Sequence, residues 1–375
     1  MPVEFLGMIA TQHASEIHAM EGPLVDPEYV TRFARAHEES GFDRVLIGYS
    51  SASPDGLQVA AYAATRTERL GFLIAHRPGF LAPTVAARVF ATLDQFSRGR
   101  VALHTISGGS DHEQRRDGDT LDKAGRYRRS REFLQILKRA WTEDEPFSYA
   151  GEFYTVEDFV SHVRTYQQPR IPIYFGGSSP DAYAVGAVEA DVFALFAQPV
   201  PQIAEEIETI AAAATAARRP EPPRISVSFR PITAATDAEA WERAHAILGA
   251  TRERMRSGGQ IHGWRNVGHG HSAGSQRQLD AAARGELHGK ALWTPLAVAT
   301  GAPGNSTALV GSPETVAEAL LEYVEAGVST ILIRGYDPLK DAVAYRDVIE
   351  IVRQEVAHRE RVTAAAGAEL ARGRA

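Results

Sequence analysis

The strongest constraint on this chain is a rhythm. Short, nearly unbroken apolar runs recur at residues 3–10, 44–48, 70–75, 101–106, 171–175, 192–196, 225–232 and 330–333. Runs this short and this uniformly apolar suit strands buried on both faces, as in a parallel sheet covered by helices. Between them lie longer segments with helical spacing, such as residues 27–40, 82–96, 125–141 and 313–326. Each is long enough to bring the chain back for a parallel neighbour. Eight runs predict an α/β fold closed as a parallel (β/α)₈ TIM barrel with insertions; an open doubly wound sheet is built from the same elements and stays as the alternative.

The chain has 375 residues, a length such barrels reach as one domain, so residues 1–360 are expected to form a single unit. Its net charge of -7 disfavours nucleic acid or an anionic membrane as partner, because both select concentrated basic surface. A small-molecule substrate fits better. There is no cysteine, which excludes disulfides, thiolate nucleophiles and zinc–thiolate sites. The first residues lack a basic segment followed by an apolar run, and no apolar stretch is long enough to span a bilayer, so a cytoplasmic location is expected.

Two stretches break the rhythm. Residues 142–168 contain Gly151-Glu152-Phe153-Tyr154 and read as a small hairpin before strand five. Residues 257–289 are rich in Gly, His, Ser, Gln and Arg without apolar periodicity. They read as a mobile lid loop within an insertion at about 250–300. Residues 361–375 are expected to form a disordered tail.

In a barrel, chemistry collects at the C-terminal ends of the strands. Polar residues follow the runs there: His13 after the first, Tyr49, Ser50, Ser51 and Ser53 after the second, His76 and Arg77 after the third. Strand four carries His104 and ends at Ser107-Gly108-Gly109; strand seven holds Arg230; strand eight ends in Arg334-Gly335-Tyr336. After strand five, Gly176-Gly177-Ser178-Ser179 leads into Pro180 and a helical segment. Glycines that let backbone approach, hydroxyls and helix-start amides suit a phosphate, although Ser before Pro is also an ordinary helix cap. His262, His269, His271 and His288 lack regular ligand spacing, so no metal site is expected. No P-loop or dinucleotide Gly-x-Gly-x-x-Gly fingerprint occurs. The basic run 126–131 reads as a solvated helix face, with Tyr127 set apart from it.

Several segments together resemble the bacterial luciferase-like flavin monooxygenases, most nearly the alkanesulfonate monooxygenases. They are Pro83-Thr84-Val85-Ala86-Ala87-Arg88, the 91–100 segment from Ala91-Thr92-Leu93-Asp94 to Gly99-Arg100, Ser107-Gly108-Gly109, Tyr174 to Ser179 and Thr307 to Pro313. The resemblance implies FMN across the C-terminal mouth, used as reduced FMNH2 with O2 and delivered by a separate NAD(P)H-dependent flavin reductase. It also implies a homodimer or homotetramer. Carried over by position, Gly177, Ser178, Ser179 and Tyr127 would hold the FMN phosphate, and His104 and Ser107 would lie near its ring. His104 stands where these proteins usually have asparagine. His13, Ser53, Arg230 and Tyr336 are the catalytic candidates, and Arg230, Arg334 and Phe196 the substrate-binding ones.

Strand seven departs from the alkanesulfonate pattern, with Ser228 and Arg230 in place of arginine then histidine, and the arginine expected after Trp293 has no counterpart. The implied reaction is oxygenation of a small, anionic, organosulfur compound, with carbon–sulfur cleavage for a sulfonate. A deazaflavin-dependent oxidoreductase on the same barrel and a non-catalytic flavin-binding protein are the alternatives.

Overall fold

The computed structural model describes residues 3–257 and 272–372, with side chains through residue 364. Eight parallel strands close on themselves: β1 (Glu4–Ile9), β2 (Arg44–Ile47), β3 (Gly71–His76), β4 (Val101–Thr105), β5 (Ile173–Gly176), β6 (Val192–Phe196), β7 (Arg224–Thr233) and β8 (Val328–Ile333). Each pairs with the next, β8 pairs with both β7 and β1, and the ring is complete. This settles the topology as the barrel.

Alternation along each strand divides the side chains between two environments. Phe5, Val45, Phe72, Val101, Phe175, Phe193 and Phe229 belong to the core between strands and helices and are 0% exposed. Each such burial contributes roughly 1.5–3 kcal/mol. The opposite positions Leu6, Leu73, Ala102, Tyr174, Val192 and Leu332 fill the barrel itself. At its N-terminal end the Tyr174 hydroxyl donates to Glu4 at 2.7 Å, and Arg44 donates to the other Glu4 oxygen at 2.8 Å. A buried polar layer is thereby satisfied.

The 91–100 segment holds this same end of the barrel. Asp94, 0% exposed, accepts from the backbone of Tyr166 and Gln167 and from the Gln167 amide. Arg100 donates to the carbonyls of Ser97, Leu70 and Ala64 and to the Thr67 hydroxyl. These residues tie helix ends to strand starts.

The expected hairpin is present as Phe147–Ala150 paired antiparallel with Thr155–Phe159. The described part of the later insertion is more regular than its composition suggests. Residues 258–271, including His262, His269 and His271, lie outside the described residues. Ala273–Arg284 is a helix, not loop, whose inward positions Gly274, Ser275, Gln278 and Ala281 are small or polar. Such a face gives no apolar period to read. β7 also outruns the barrel: Arg230 to Thr233 pair with Ala308–Gly311. That extension, the helix Asp237–Arg256 and Leu296 enclose a second core around Ile232, Trp293, Val310 and Tyr336. The final helix, Pro338–Arg372, runs through most of the stretch expected to be a disordered tail. No helix of the described residues is long and apolar enough to cross a membrane.

Candidate active site at the barrel mouth

Above the filled layer the interior opens. Gly48, His104, Gly176, Ala194, Phe196 and Ser228 are each partly exposed, whereas the neighbouring residues Ile47, Thr105, Phe175, Leu195 and Phe229 are buried. Four of the six inward residues are glycine, alanine or serine, too small to meet across the axis. The C-terminal mouth is therefore a hollow, and surface clefts such as that beside Pro199, His288 and Tyr323 lie outside it.

One wall is the turn after β5. Gly177 has φ +154°, and a Cβ there would stand 2.6 Å from the Ala182 Cβ and 3.2 Å from the Tyr127 hydroxyl. Only glycine leaves that space open. Ser179 caps the helix Pro180–Glu189 by accepting from the Ala182 amide, and the Tyr127 hydroxyl also interacts with Ser179. Burial pushes the Tyr127 phenol above its usual range, so it serves as a neutral donor. Tyr127, Ser178 and Ser179 are each 7% exposed. Helix-start amides, two hydroxyls, a phenol and a glycine-shaped gap make a cradle for an anion such as phosphate.

The insertion helix closes over this wall. A Cβ at Gly274 would meet the Phe196 ring at 2.9 Å and the Ser178 hydroxyl at 3.6 Å. Arg277, one turn on, donates to the Tyr183 hydroxyl at 3.3 Å and faces Glu206 at 3.5 Å. Neither Gly274 nor Arg277 stands out in the sequence, because their stretch shows no apolar period.

The floor beside the cradle is His104. Its Cε1 lies 3.2 Å from where a Gly176 Cβ would stand, and its Nδ1 is buried with no hydrogen-bond partner among the described residues. Burial lowers the imidazole to about 4, so it is neutral near pH 7. Ser107 is differently placed than expected: its hydroxyl meets Ser130 at 2.9 Å, joining its loop to the helix Lys123–Thr142. Arg126, 1% exposed, fastens the same loop by donating to the carbonyls of Ser107 and Gly108. Arg126 thereby departs from the solvated-face reading of the basic run, which Arg128 and Arg131, both exposed, keep to.

After β2, Ser53 is exposed and its hydroxyl donates to the Ser50 carbonyl at 2.9 Å. Its group closes a local turn, so a flavin-tuning role does not fit its position. Ser51 is the better-placed serine. Its hydroxyl is buried without a partner among the described residues, and its amide donates to Glu113 at 2.9 Å. Glu113 is in turn fixed by Arg77.

The wall formed by β7 and β8 is ionic. Arg230 is 2% exposed and donates through both terminal nitrogens to Glu16, at 2.6 and 2.7 Å, and to the Gly335 carbonyl at 3.0 Å. Burial would raise the Glu16 carboxyl, but the Arg230 charge and hydrogen bonds outweigh it and hold the group at about 2. The expected anion-binding role of Arg230 is thus corrected: its charge is already matched. Arg334 is the group left over. Among the described residues Glu16 is the nearest carboxylate, 4.0 Å away, and the guanidinium otherwise meets the Met8 sulfur at 3.8 Å. Burial first, then the neighbouring Arg230 charge, lower it to about 10, so it is still cationic. Tyr336 lies behind this pair, its ring centroid 3.7 Å from the Arg230 guanidinium. Its hydroxyl is buried without a partner among the described residues, and burial raises it to about 12. His13 stands apart on the outer rim, near His18, Tyr29 and Asp337.

A profile of the family described as luciferase-like monooxygenase matches residues 3–330. Among solved structures, a riboflavin lyase with modified FMN and riboflavin superposes with TM-score 0.77 at 17% identity, covering 95% of this chain and 92% of its own. The EDTA monooxygenase from Chelativorans sp. BNC1 gives 0.74 at 17% identity, covering 95% and 94%. The coenzyme F420 dependent tetrahydromethanopterin reductase from Methanopyrus kandleri gives 0.66 at 16%, covering 94% and 100%. At such identities the likeness is one of fold.

Proposed function

The chain belongs to the luciferase-like monooxygenase family, and we propose that it is the oxygenating component of a two-component flavin system acting on a small organic anion. One observation carries the reading. The hollow mouth has a glycine-shaped anion cradle on its β5 side and an unmatched guanidinium, Arg334, on its β8 side. A phosphorylated cofactor and an anionic substrate are thereby given separate anchors.

The cradle residues fit FMN. Gly177 leaves room for the phosphate, while Tyr127, Ser178 and Ser179 supply hydroxyl donors beside a helix start. Bound there, reduced FMN would supply the electrons that activate dioxygen. The remaining work falls to the chain. His104 is neutral and presents a polar edge to the hollow without adding charge. Arg334 offers the planar fork that sulfonate or carboxylate oxygens accept. Glu16 and Arg230 hold the wall and leave Arg334 as the surplus positive group. Phe196 and the helix at Gly274 cover the opening and limit water. The substrate class is an organosulfur anion of the sulfonate kind. The flavin comes from an NAD(P)H-dependent reductase, and the assembly is a homodimer or homotetramer.

Anaerobic titration with oxidised FMN, reduced FMN and deazaflavin, followed by protein fluorescence, tests the cofactor. Preference for reduced FMN, followed by substrate-dependent oxygen uptake with a flavin reductase and a panel of sulfonates, is the expected result. Preference for deazaflavin would instead make the chain a hydride-transfer enzyme, and failure to bind any flavin would remove the reading.

A further inference from the structure

The loop after β1 and the start of the last helix meet outside the barrel mouth. His13 Nε2 lies 3.7 Å from one Asp337 oxygen, and His18 Nε2 lies 3.8 Å from the other. The two imidazole centroids are 4.5 Å apart. One ligand atom from each of the three residues falls within 4.8 Å of the others. The two histidine–carboxylate distances exceed the ~2.7–3.2 Å of a hydrogen bond to an imidazole nitrogen, so the carboxylate is hydrogen-bonded to neither ring. The same two histidine–carboxylate distances are close to the roughly 3.4 Å that separates two donors about 2.1 Å from a tetrahedral ion.

Further observations point the same way. The His18 Nε2 atom is buried and has no hydrogen-bond partner among the described residues. The Tyr29 hydroxyl beside the group is also buried without a partner among the described residues, in a residue 3% exposed. The ring of Tyr29 stacks edge-on to His13 at 6.0 Å. Both backbone segments are fixed from outside the cluster. Ser15 accepts from the His18 amide and donates its own amide to the His18 carbonyl; the Asp337 amide donates to Asp341. The side chains of His13, His18 and Asp337 are 42%, 34% and 29% exposed, which leaves a path for an ion and room for water ligands.

We propose that His13, His18 and Asp337 form a site for a divalent transition-metal ion of the zinc class, clamping the loop after β1 to the start of the last helix. Two imidazoles and one carboxylate are the ligand set that such ions prefer over magnesium or calcium, which select oxygen. The consequence reaches the mouth through Glu16, which lies in the loop between the two histidines and pairs with Arg230. The ion would fix the segment that supplies the pocket's carboxylate without touching the flavin cradle. This inference does not depend on the proposed reaction.

The test uses the full-length chain, treated with chelator and titrated with CoCl2 and ZnCl2 in the absence of flavin. Expected are one saturable equivalent per chain by calorimetry, visible d–d bands on cobalt addition that zinc abolishes, and a rise in melting temperature. His18→Ala and Asp337→Asn should each weaken binding tenfold or more and remove the bands, with unchanged far-UV circular dichroism. If either variant is unfolded, His18→Gln takes its place. Absence of saturable binding overturns the proposal. So does binding of equal strength in both folded variants, which would place the metal elsewhere on the chain.

Discussion

Glu16 and Arg230 are 214 positions apart and meet as a two-pronged, buried ion pair, with contacts of 2.6 and 2.7 Å. Removing one partner strands the other's charge in a low-dielectric wall, at a cost of about 3–5 kcal/mol. Glu16→Gln is therefore expected to lower stability by that order in urea unfolding. Replacing both residues, Glu16→Leu with Arg230→Met, should be less damaging than the single change, because no buried charge is left. A double variant as unstable as the single would remove the pair from the account of the wall.

The same pair sets an acid limit. Glu16 titrates at about 2 in the folded chain against 4.5 ordinarily. Its stabilisation is therefore complete above 4.5 and is lost as pH falls from there toward 2. Stability measured across that window should fall less steeply in Glu16→Gln than in the parent.

His37 and His76 act in the same direction at higher pH. Burial lowers each from 6.5 to about 4, so the unfolded chain binds protons that the folded chain refuses. Each then removes up to about 1.4 kcal/mol of stability per pH unit as pH falls from 6.5 toward 4. His76 packs edge-on to Phe90 and stacks on Phe133. Chemical denaturation at stepped pH should show a shallower decline in His76→Phe; an unchanged slope would mean that His76 is not held neutral.

Arg334→Met is expected to separate substrate binding from folding. The guanidinium has no close carboxylate of its own, and its environment already disfavours the charge, so the melting temperature should hold or rise. A charge-assisted contact to an anion contributes about 1.5–3 kcal/mol. KM for an anionic substrate should therefore rise roughly 10- to 100-fold. A KM that does not move would assign the anion to another group.

Gly177→Ala should weaken FMN binding at least about tenfold, since its Cβ would stand 2.6 Å from Ala182 in a backbone conformation costing roughly 1–3 kcal/mol. Tyr127→Phe, which removes one donor worth about 0.5–1.5 kcal/mol, should have a smaller effect. Fluorescence titration that finds full affinity in both would remove the cradle as the phosphate site.

By itself the sequence determined the eight parallel strands and the strand ends where chemistry collects, while closure of the sheet into a barrel rested on the pairing of β8 with β1. Doubly buried strands must be apolar at consecutive positions, and that local requirement leaves eight legible runs; Gly177 with Ser179 before Pro180 is legible for the same reason, because turn and cap chemistry are local. The segment around Asp94 and Arg100, one of those that carry the resemblance, proves to bind helix ends to strand starts far from the mouth.

Only the tertiary structure decided which polar residues share the hollow. It spent Arg230 on Glu16, left Arg334 over, turned Ser53 and Ser107 into loop fastenings, and brought His18 to Asp337. It also placed Gly274 against Phe196, through a helix whose buried face is too small to show a period. Those outcomes depend on which distant chain segment supplies the neutralising partner or the covering surface, and charge pairing and desolvation act through space, with no periodic signature along the chain.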